Sequence, residues 1–371
     1  MMQRLLALAL ACAVLAGCGS VDAYRQAKTA GDRAKSAGRY DEAAARYHEA
    51  GDAAKRPSDR DEAYYLEAAT LMQAGRTEEA KKAFEAMLKR SPAGPRSDRA
   101  TFDRAFLEAD TGDEKLGYDE LEQAVFARPT AGSSRRGLRR IVEHEEEKAK
   151  GGGLAWLDKN LAKLEATELS EDAIYLRATM LRRAARRREA RDEYVRCATK
   201  HGYPKGSLFD DAYWHAAEVD LELGEPAKAV DDLEKLLAPR EVSSLGQGSY
   251  ERPRYSMAQM KIGEIYRDQL REPAKARAAF RKLSERHKTS VLRDDALFAE
   301  ALVARAQGDK EGACEPMRTL VRELAESVFA GCAREVCADL EPSKKAPACR
   351  EYLKARIDGR PPTPDEPAAS E

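Results

Sequence analysis

The sequence predicts an all-α chain built from consecutive helical pairs. The 371 residues are 35% charged and only 6% aromatic, and they are rich in Ala, Arg, Glu and Leu, which favour helices. Apolar residues recur at helical spacing, and no segment shows the alternation of polar and apolar residues that is typical of a strand. Small residues also recur in a fixed frame along the chain, which indicates an internal repeat.

The first residues have the pattern of a secretory signal. Arg4 precedes an apolar stretch, Leu5–Ala16, that is too short to cross a bilayer as a helix. The stretch ends in Leu15-Ala16-Gly17-Cys18, which resembles the lipobox of bacterial lipoproteins. An ordinary cleaved signal followed by a chance cysteine is the alternative.

The lipobox resemblance implies a processed and anchored N-terminus. Residues 1–17 would be removed as a signal peptide, and Cys18 would be lipidated with acyl chains such as palmitate. Residues 18–23 would then form a short tether, and several acyl chains suffice for stable anchoring without a transmembrane helix. Gly19 stands where inner-membrane lipoproteins of this family carry Asp, which implies the outer membrane, on its periplasmic side.

The segment after the tether contains the clearest copy of the repeat. It contains Gly31, Gly38, Ala43, Tyr47 and Ala50 at a spacing that resembles the tetratricopeptide repeat. The resemblance implies that Gly31 and Ala43 lie where two helices approach closely, Gly38 where they turn, and Tyr47 and Ala50 on the packing face of the second helix. Further copies are marked by Ala68, Gly75, Ala80, Phe84 and Pro92; Ala105, Gly112, Leu121, Ala124 and Pro129; Ala178, Ala190, Tyr194 and Cys197; Ala217, Gly224, Ala229 and Leu233; Gly263, Ala276 and Phe280; and Ala301, Gly308, Ala313, Met317 and Leu320.

The resemblance implies a right-handed αα-superhelix, a tetratricopeptide (TPR) solenoid of about eight helical pairs. We expect N-terminal repeats over 24–131, a degenerate helical pair over 132–170 and C-terminal repeats over 171–327. The copies around 210–327 look most similar to those of the TPR lipoprotein of the β-barrel assembly machinery and of the periplasmic TPR coordinator of the Tol–Pal system. An irregular helical bundle would not explain the recurring Gly and Ala positions.

One position in each repeat suggests a surface for a partner protein. The fifth residue of seven copies is large and apolar in six of them, with Lys28 the exception. The six are Tyr65, Phe102, Tyr175, Trp214, Met260 and Phe298. Along the concave face of a solenoid, such a row could hold an extended or helical segment. The alternative is that these side chains pack against the neighbouring helix.

A second candidate surface is an arginine-rich run within the fourth recognised copy. Arg182, Arg183, Arg186 and Arg187 form a basic patch in the sequence. Clustered guanidinium groups suit carboxylates or phosphates, so an acidic protein segment or anionic lipid headgroups are possible ligands. The alternative is a solvated helix face balanced by nearby acids.

Four cysteines crowd the C-terminal region, at positions 314, 332, 337 and 349. In an exported protein we expect Cys314, Cys332, Cys337 and Cys349 to form disulfides that tie capping helices, over 328–358, onto the last repeat. If 329–340 is one helix, Cys332 and Cys337 lie on different faces and bond poorly. Two connectivities then remain open. A zinc site is the alternative, although the spacings match no zinc motif. Cys197 is expected to be a small buried residue.

The remaining segments and motifs give no sign of catalysis. A long connection between Pro239 and Pro253 and a Pro-rich tail over 359–371 are expected to be disordered. The sequence holds no Gly-x-Ser-x-Gly turn and no complete zinc-protease or phosphate-loop motif. We therefore expect no enzyme activity, no cofactor, no metal and no small-molecule substrate, and a net charge of −1 gives no basic excess for nucleic acid.

These expectations combine into a functional hypothesis with alternatives. The chain would be a non-enzymatic scaffold at the outer membrane that binds envelope proteins or peptide segments during assembly of a β-barrel, secretin, pilus or motility complex. The alternative is a coordinator of peptidoglycan synthesis or of Tol–Pal function. A helical accessory domain of a cell-wall enzyme is a third possibility, although few residues follow the last repeat.

Overall fold

The computed structural model describes residues 22–238 and 253–360. The signal peptide, Cys18 with most of its tether, the connection after Pro239 and all but the start of the 359–371 tail lie outside the described residues. Within the described ranges every regular element is a helix, so the all-α class is confirmed. No helix in those ranges is long and apolar enough to cross a membrane.

Sixteen helices of the described ranges form eight consecutive pairs. In chain order they are α1 Ala23–Ser36, α2 Tyr40–Ala53, α3 Pro57–Gln73, α4 Thr77–Arg90, α5 Ser97–Thr111, α6 Glu114–Ala127, α7 Ser134–Lys148, α8 Gly152–Glu165, α9 Ser170–Arg183, α10 Arg187–Lys200, α11 Phe209–Glu222, α12 Pro226–Leu237, α13 Pro253–Asp268, α14 Pro273–Arg286, α15 Arg293–Ala306 and α16 Lys310–Glu323. The segment 132–170, expected to be a degenerate pair, contains α7 and α8.

Local sequence explains where these helices begin and turn. Proline occupies the first turn of α3, α12 and α14, where its missing N–H costs no hydrogen bond. The turn between α1 and α2 places Gly38 at φ +74°, a left-handed conformation that favours glycine. Arg39 N–H then donates to the Ala34 carbonyl at 2.9 Å, which satisfies a terminal carbonyl of α1. Gly75, Gly224 and Gly308 have φ values of +74° to +75° after the first helices of three other pairs.

The chain divides between Ala173 and Ile174 into two compact units. The N-terminal unit contains α1 to α8, with a core that includes the fully buried Tyr47, Phe84 and Leu138. Its helices approach closely where the sequence places small residues. A Cβ atom added at Gly31 would lie 2.8 Å from the ring of Tyr47, so the second helix packs on bare backbone there.

The C-terminal unit begins within α9 and continues to the end of the described chain. Its core has the same packing of an aromatic ring against a glycine, since a Cβ atom at Gly263 would lie 2.3 Å from the ring of Phe280. Cys197 is fully buried in this core. Beyond α16 come a 3₁₀ helix, Val328–Cys332, and two short helices, α17 Ala333–Val336 and α18 Glu351–Ile357.

These last elements form a cap that packs on α15 and α16. Phe329 of the cap stacks on Phe298 of α15, with ring centroids 4.5 Å apart. Leu353 and Ile357 of α18 join the same apolar cluster. The cap therefore covers the apolar end of the last helical pair, as a stack of repeats requires.

Two disulfides tie the cap together. The structure joins Cys314 to Cys337, with Cα atoms 5.5 Å apart, and Cys332 to Cys349, with Cα atoms 4.6 Å apart. This is one of the two connectivities that the sequence left open. The condition of a single helix over 329–340 is not met, because the helical turns end at Val336. Gly331 lies against the carbonyl of Pro347, where an added Cβ atom would be only 2.0 Å from the oxygen. The backbone is 3₁₀ at that point, and Cys337 is extended.

Candidate partner-binding surface

The expected row of apolar side chains divides into buried and half-buried members. Tyr65, Phe102 and Phe298 are at most 5% exposed and belong to the core, so the prediction that they bind a partner was wrong. Tyr175, Trp214 and Met260 are half-buried. All three of these lie on first helices of the C-terminal unit: α9, α11 and α13.

The buried members are covered by specific neighbours. Tyr65 packs near Phe84 with ring centroids 6.1 Å apart, and its hydroxyl donates to Asp103 at 2.8 Å. Phe102 lies under α7 at Gly137, where an added Cβ atom would be 3.0 Å from its ring. Phe298 is covered by the cap. These aromatic side chains therefore stabilise the stack and offer no free contact area.

Two of the half-buried members, Tyr175 and Trp214, contact side chains of the next first helix in the C-terminal unit. Tyr175 of α9 lies 6.0 Å from His215 of α11, measured between ring centroids. The adjacent Trp214 carries the guanidinium of Arg254 of α13 at 5.0 Å from its ring centroid. Arg254 in turn pairs with Asp211 of α11. Side chains of three successive first helices are thus linked into one surface.

Met257 extends this surface and was not found by the sequence reasoning. It is 38% exposed, one of four large apolar side chains of the described residues with such exposure. Met257 lies three residues before Met260 on α13, so both share one side of the helix. This spacing was the available signal. We call Tyr175, Trp214, Met257 and Met260 the first-helix surface.

A carboxylate fixes the orientation of the aromatic side chains. Glu218 accepts hydrogen bonds from the Trp214 indole N–H and from Arg182, each at 2.9 Å, and its other neighbour, His215 Nδ1, is 2.9 Å away. Burial raises the pKa of Glu218, but the bonds with His215 and Arg182 outweigh burial and lower that pKa to about 2. Glu218 is therefore ionised at neutral pH and holds the Trp214 ring in place.

The arginine run is largely neutralised by acids of the same chain. Arg182 pairs with Glu218 and Glu222, and Arg187 shares Glu222 at 3.0 Å. Arg186 pairs with Glu189 at 2.7 Å through Nε. Arg183, by contrast, is exposed at the end of α9. The expected basic patch is thus mainly an ion-pair network between helices and not an open cationic surface.

This network continues into the interior of the C-terminal unit. Arg191 of α10 donates to Asp220 of α11 at 3.1 Å and to Asp232 of α12 at 2.9 Å. Both carboxylates are completely buried. Burial raises the pKa of Asp220 to about 6, although Arg191 opposes the shift. One guanidinium therefore joins three helices.

The chemistry of the first-helix surface suits binding of a protein segment. It combines an indole, a phenol and two thioethers with the fixed charges of Arg254 and Glu218. Aromatic and thioether groups provide large, adaptable contact area. Among the described residues, no group of three or more His, Cys, Asp or Glu side chains is arranged to hold a metal ion.

Comparison with known families identifies the repeat. Family profiles described as tetratricopeptide repeat match residues 61–93 and residues 257–290. The chain contains tetratricopeptide repeats. The matched segments fall in different units, so both units contain a recognised copy, and the solenoid class predicted from the sequence is confirmed. No curated protein matches the chain.

Solved structures of other repeat proteins align over much of the chain at low similarity. A tetratricopeptide repeat protein from Parabacteroides merdae is 15% identical, with a TM-score of 0.35, covering 71% of this chain and 93% of the other. PilF of Pseudomonas aeruginosa is 16% identical, with a TM-score of 0.30 and coverage of 72% and 93%. The TPR2AB domain of yeast Sti1, in a complex with pHSP90, is 16% identical, with a TM-score of 0.29 and coverage of 74% and 98%. Similarity at this level carries no information about the partner of this chain.

Proposed function

We propose that the chain is a non-enzymatic scaffold whose first-helix surface binds a segment of a partner protein. The observation that carries the proposal is a pair of contacts, Tyr175 with His215 and Trp214 with Arg254, which together involve three successive first helices. Stacked repeats present extended surfaces of this kind to their partners. The partner segment would place apolar side chains on the aromatic and methionine groups.

The fixed orientation of side chains on this surface favours specific binding of one partner segment. Glu218 fixes Trp214 in the free chain, so little side-chain entropy is lost when a partner binds. Met257 and Met260 can adapt their shape to it. Arg254 and Glu218 would select the charges at the edge of the bound segment.

We further propose that the scaffold is anchored to the outer membrane through lipidated Cys18 and acts in assembly of an envelope machine. The lipobox-like Leu15-Ala16-Gly17-Cys18 supports the anchor. The partner would then be an envelope protein on the periplasmic side. A Cys18→Ser variant should appear in the soluble fraction with its helicity unchanged. Retention in the membrane fraction would contradict the anchor.

Crosslinking in intact cells, followed by mass spectrometry, tests the binding surface. Trp214→Ala should reduce recovery of the main crosslinked protein about tenfold or more, because a central indole commonly contributes more than about 1.4 kcal/mol to binding. Tyr175→Ala should act in the same direction. Helicity by circular dichroism should be retained in both variants.

The chain offers a matched control in its other tryptophan. Trp156 of α8 is also half-buried and also donates to a glutamate, Glu122, at 3.2 Å, but it lies in the N-terminal unit. Trp156→Ala should leave partner recovery unchanged. Equal loss in the two variants would mean that the first-helix surface is not the binding site. The identity of the recovered proteins distinguishes a role in a β-barrel or secretin machine from a role in coordinating peptidoglycan synthesis.

A further inference from the structure

A second, chemically different cleft lies at the far end of the C-terminal unit. It has a volume of about 650 Å³ and is lined by the ends of α13 and α15 and by α18. Four arginines surround it: Arg267, Arg271, Arg356 and Arg360. Leu302, Val303 and Ala306 of α15 give it an apolar floor. None of these residues belongs to the first-helix surface.

Two of the four arginines form no ion pair with acids of the described residues. Arg267 pairs with Asp268 at 2.7 Å, and Arg360 with Asp358 at 3.2 Å. Arg271 and Arg356 are exposed, and within the described ranges no carboxylate lies in ion-pair distance of either. The guanidinium of Arg356 lies 5.7 Å from the Phe298 ring centroid. Arg356 also interacts electrostatically with the carboxyl of Asp295. The positive charge that acids of the described residues leave unbalanced is therefore mainly that of Arg271.

Arg271 occupies a costly backbone position. Its φ is +57°, in the left-handed region, at the turn between α13 and α14. The corresponding turns of four other pairs use Gly38, Gly75, Gly224 and Gly308 there. A side chain in this conformation costs about 1 kcal/mol or more. Such strain is concentrated at functional positions, and here it places a guanidinium at the edge of the cleft.

We infer that the cleft binds the chain's own segment 361–371. The segment follows directly from Arg360, which lines the cleft. It contains three acids, Asp365, Glu366 and Glu371, and no Lys or Arg, so its charge complements the unpaired arginines. Its four prolines, Pro361, Pro362, Pro364 and Pro367, provide apolar groups for the floor formed by Leu302 and Ala306.

Covalent connection strengthens this contact. A segment joined to the edge of its own site has an effective concentration on the order of millimolar, so a few exposed ion pairs suffice to hold it. An acidic segment of another protein would have to displace it. The C-terminal unit would then have two separate binding surfaces, the first-helix surface and the cleft. The inference about the cleft does not rest on the function proposed for the first-helix surface.

Site-specific photocrosslinking in the full chain tests the inference. Pro364→p-benzoylphenylalanine places the photoreactive group in the middle of the segment. Irradiation of dilute protein should crosslink it within one chain to peptides from 267–273 or 302–307. Raising NaCl from about 0.05 M to about 0.5 M should reduce the yield, because exposed ion pairs are screened. Crosslinks found elsewhere, or only between two chains, would overturn the inference.

Two variants separate charge from folding. Arg271→Gly removes the guanidinium and also relieves the left-handed backbone, so it should raise the thermal midpoint while lowering the crosslink yield about three- to fivefold. Ala185→Gly relieves the same strain at φ +57° in the fifth pair without changing charge. It should raise the midpoint and leave the yield unchanged. An unchanged yield in Arg271→Gly would also overturn the inference.

The acids of the segment provide the complementary test. Asp365→Asn combined with Glu366→Gln should lower the yield as Arg271→Gly does. Ser370→Ala, a small change in the same segment that alters no charge, serves as the control and should have no effect. A yield that survives loss of both acids would show that charge does not hold the segment in the cleft.

Discussion

Phe102 and Trp214 occupy the same position of the repeat, one in each unit, but their surroundings differ. Phe102 is completely buried in the N-terminal unit, whereas Trp214 is half-buried in the C-terminal unit. The cause lies on the next first helix. Gly137 lets the α7 backbone pack on the Phe102 ring, while Arg254 places a guanidinium over Trp214. The glycine therefore allows the next helix to bury the aromatic side chain at this repeat position, whereas the arginine leaves it partly exposed at the surface.

The repeat frame therefore specifies helices better than it specifies binding sites. Two large aromatic residues in one register can have opposite roles, because the covering residue is more than thirty positions away in the sequence. The surroundings of charged side chains also depend on distant residues, since Asp220 and Asp232 of the C-terminal unit are completely buried.

Phe102 should be the more sensitive of the two positions to truncation. Phe102→Ala should lower the free energy of unfolding by about 4 kcal/mol, because it removes a fully buried ring and leaves a cavity. Trp214→Ala is the matched change in the other unit and should cost less than about 1.5 kcal/mol. Urea unfolding followed by circular dichroism measures both. Similar losses would mean that Trp214 is a core residue.

Arg191 tests the buried charges of the C-terminal unit. Arg191→Ala should cost about 3 kcal/mol at pH 7, because Asp220 and Asp232 lose their shared guanidinium in the interior. The pKa of Asp220 is already raised to about 6, so this group favours the folded state at low pH and contributes less as pH rises from about 4 through 6. Without Arg191 the carboxyl should hold its proton more strongly.

The loss in Arg191→Ala should therefore be smaller at pH 5 than at pH 7 in urea unfolding. Arg140→Ala provides the counterpart in the N-terminal unit. Arg140 pairs with Asp110 at 2.5 Å, and both side chains are 45% exposed, so the change should cost less than about 1 kcal/mol. A pH-independent loss in Arg191→Ala would contradict the role given to the buried carboxyls.

The cap provides a third test, since it buries Phe298, another residue of the same repeat position. Cys332→Ser combined with Cys349→Ser opens a bridge that spans 17 residues and should lower stability by about 2 kcal/mol. Partial exposure of Phe298 should increase binding of a hydrophobic dye. Serine replacement of Cys197, which lies outside both bridges and is buried among other helices, should not produce dye binding through the cap.

The sequence predicted the features that depend on local patterns. Gly38 and Gly75 mark turns because a left-handed backbone conformation favours glycine. Helices are predictable because the spacing of their apolar residues is contained in short stretches of the sequence. The partners of Arg182 and Arg191 were not predictable, since Glu222 and Asp232 lie some 40 residues further on and meet them only after stacking. The helical pattern of 329–340 also does not contain the end of the helical turns at Cys337 or the contact of Gly331 with Pro347.

The close approach of Gly31 to Tyr47, and of Gly263 to Phe280, has a consequence for how this chain can evolve. A side chain at either glycine would collide with an aromatic ring of the paired helix, so drift at these sites is restricted to the smallest residues unless the partner shrinks at the same time. Met257, which is 38% exposed, faces no such restriction. In a mutational scan, substitutions should therefore be poorly tolerated at the glycine positions that recur along the repeats. Substitutions between these positions can change partner preference without loss of the fold.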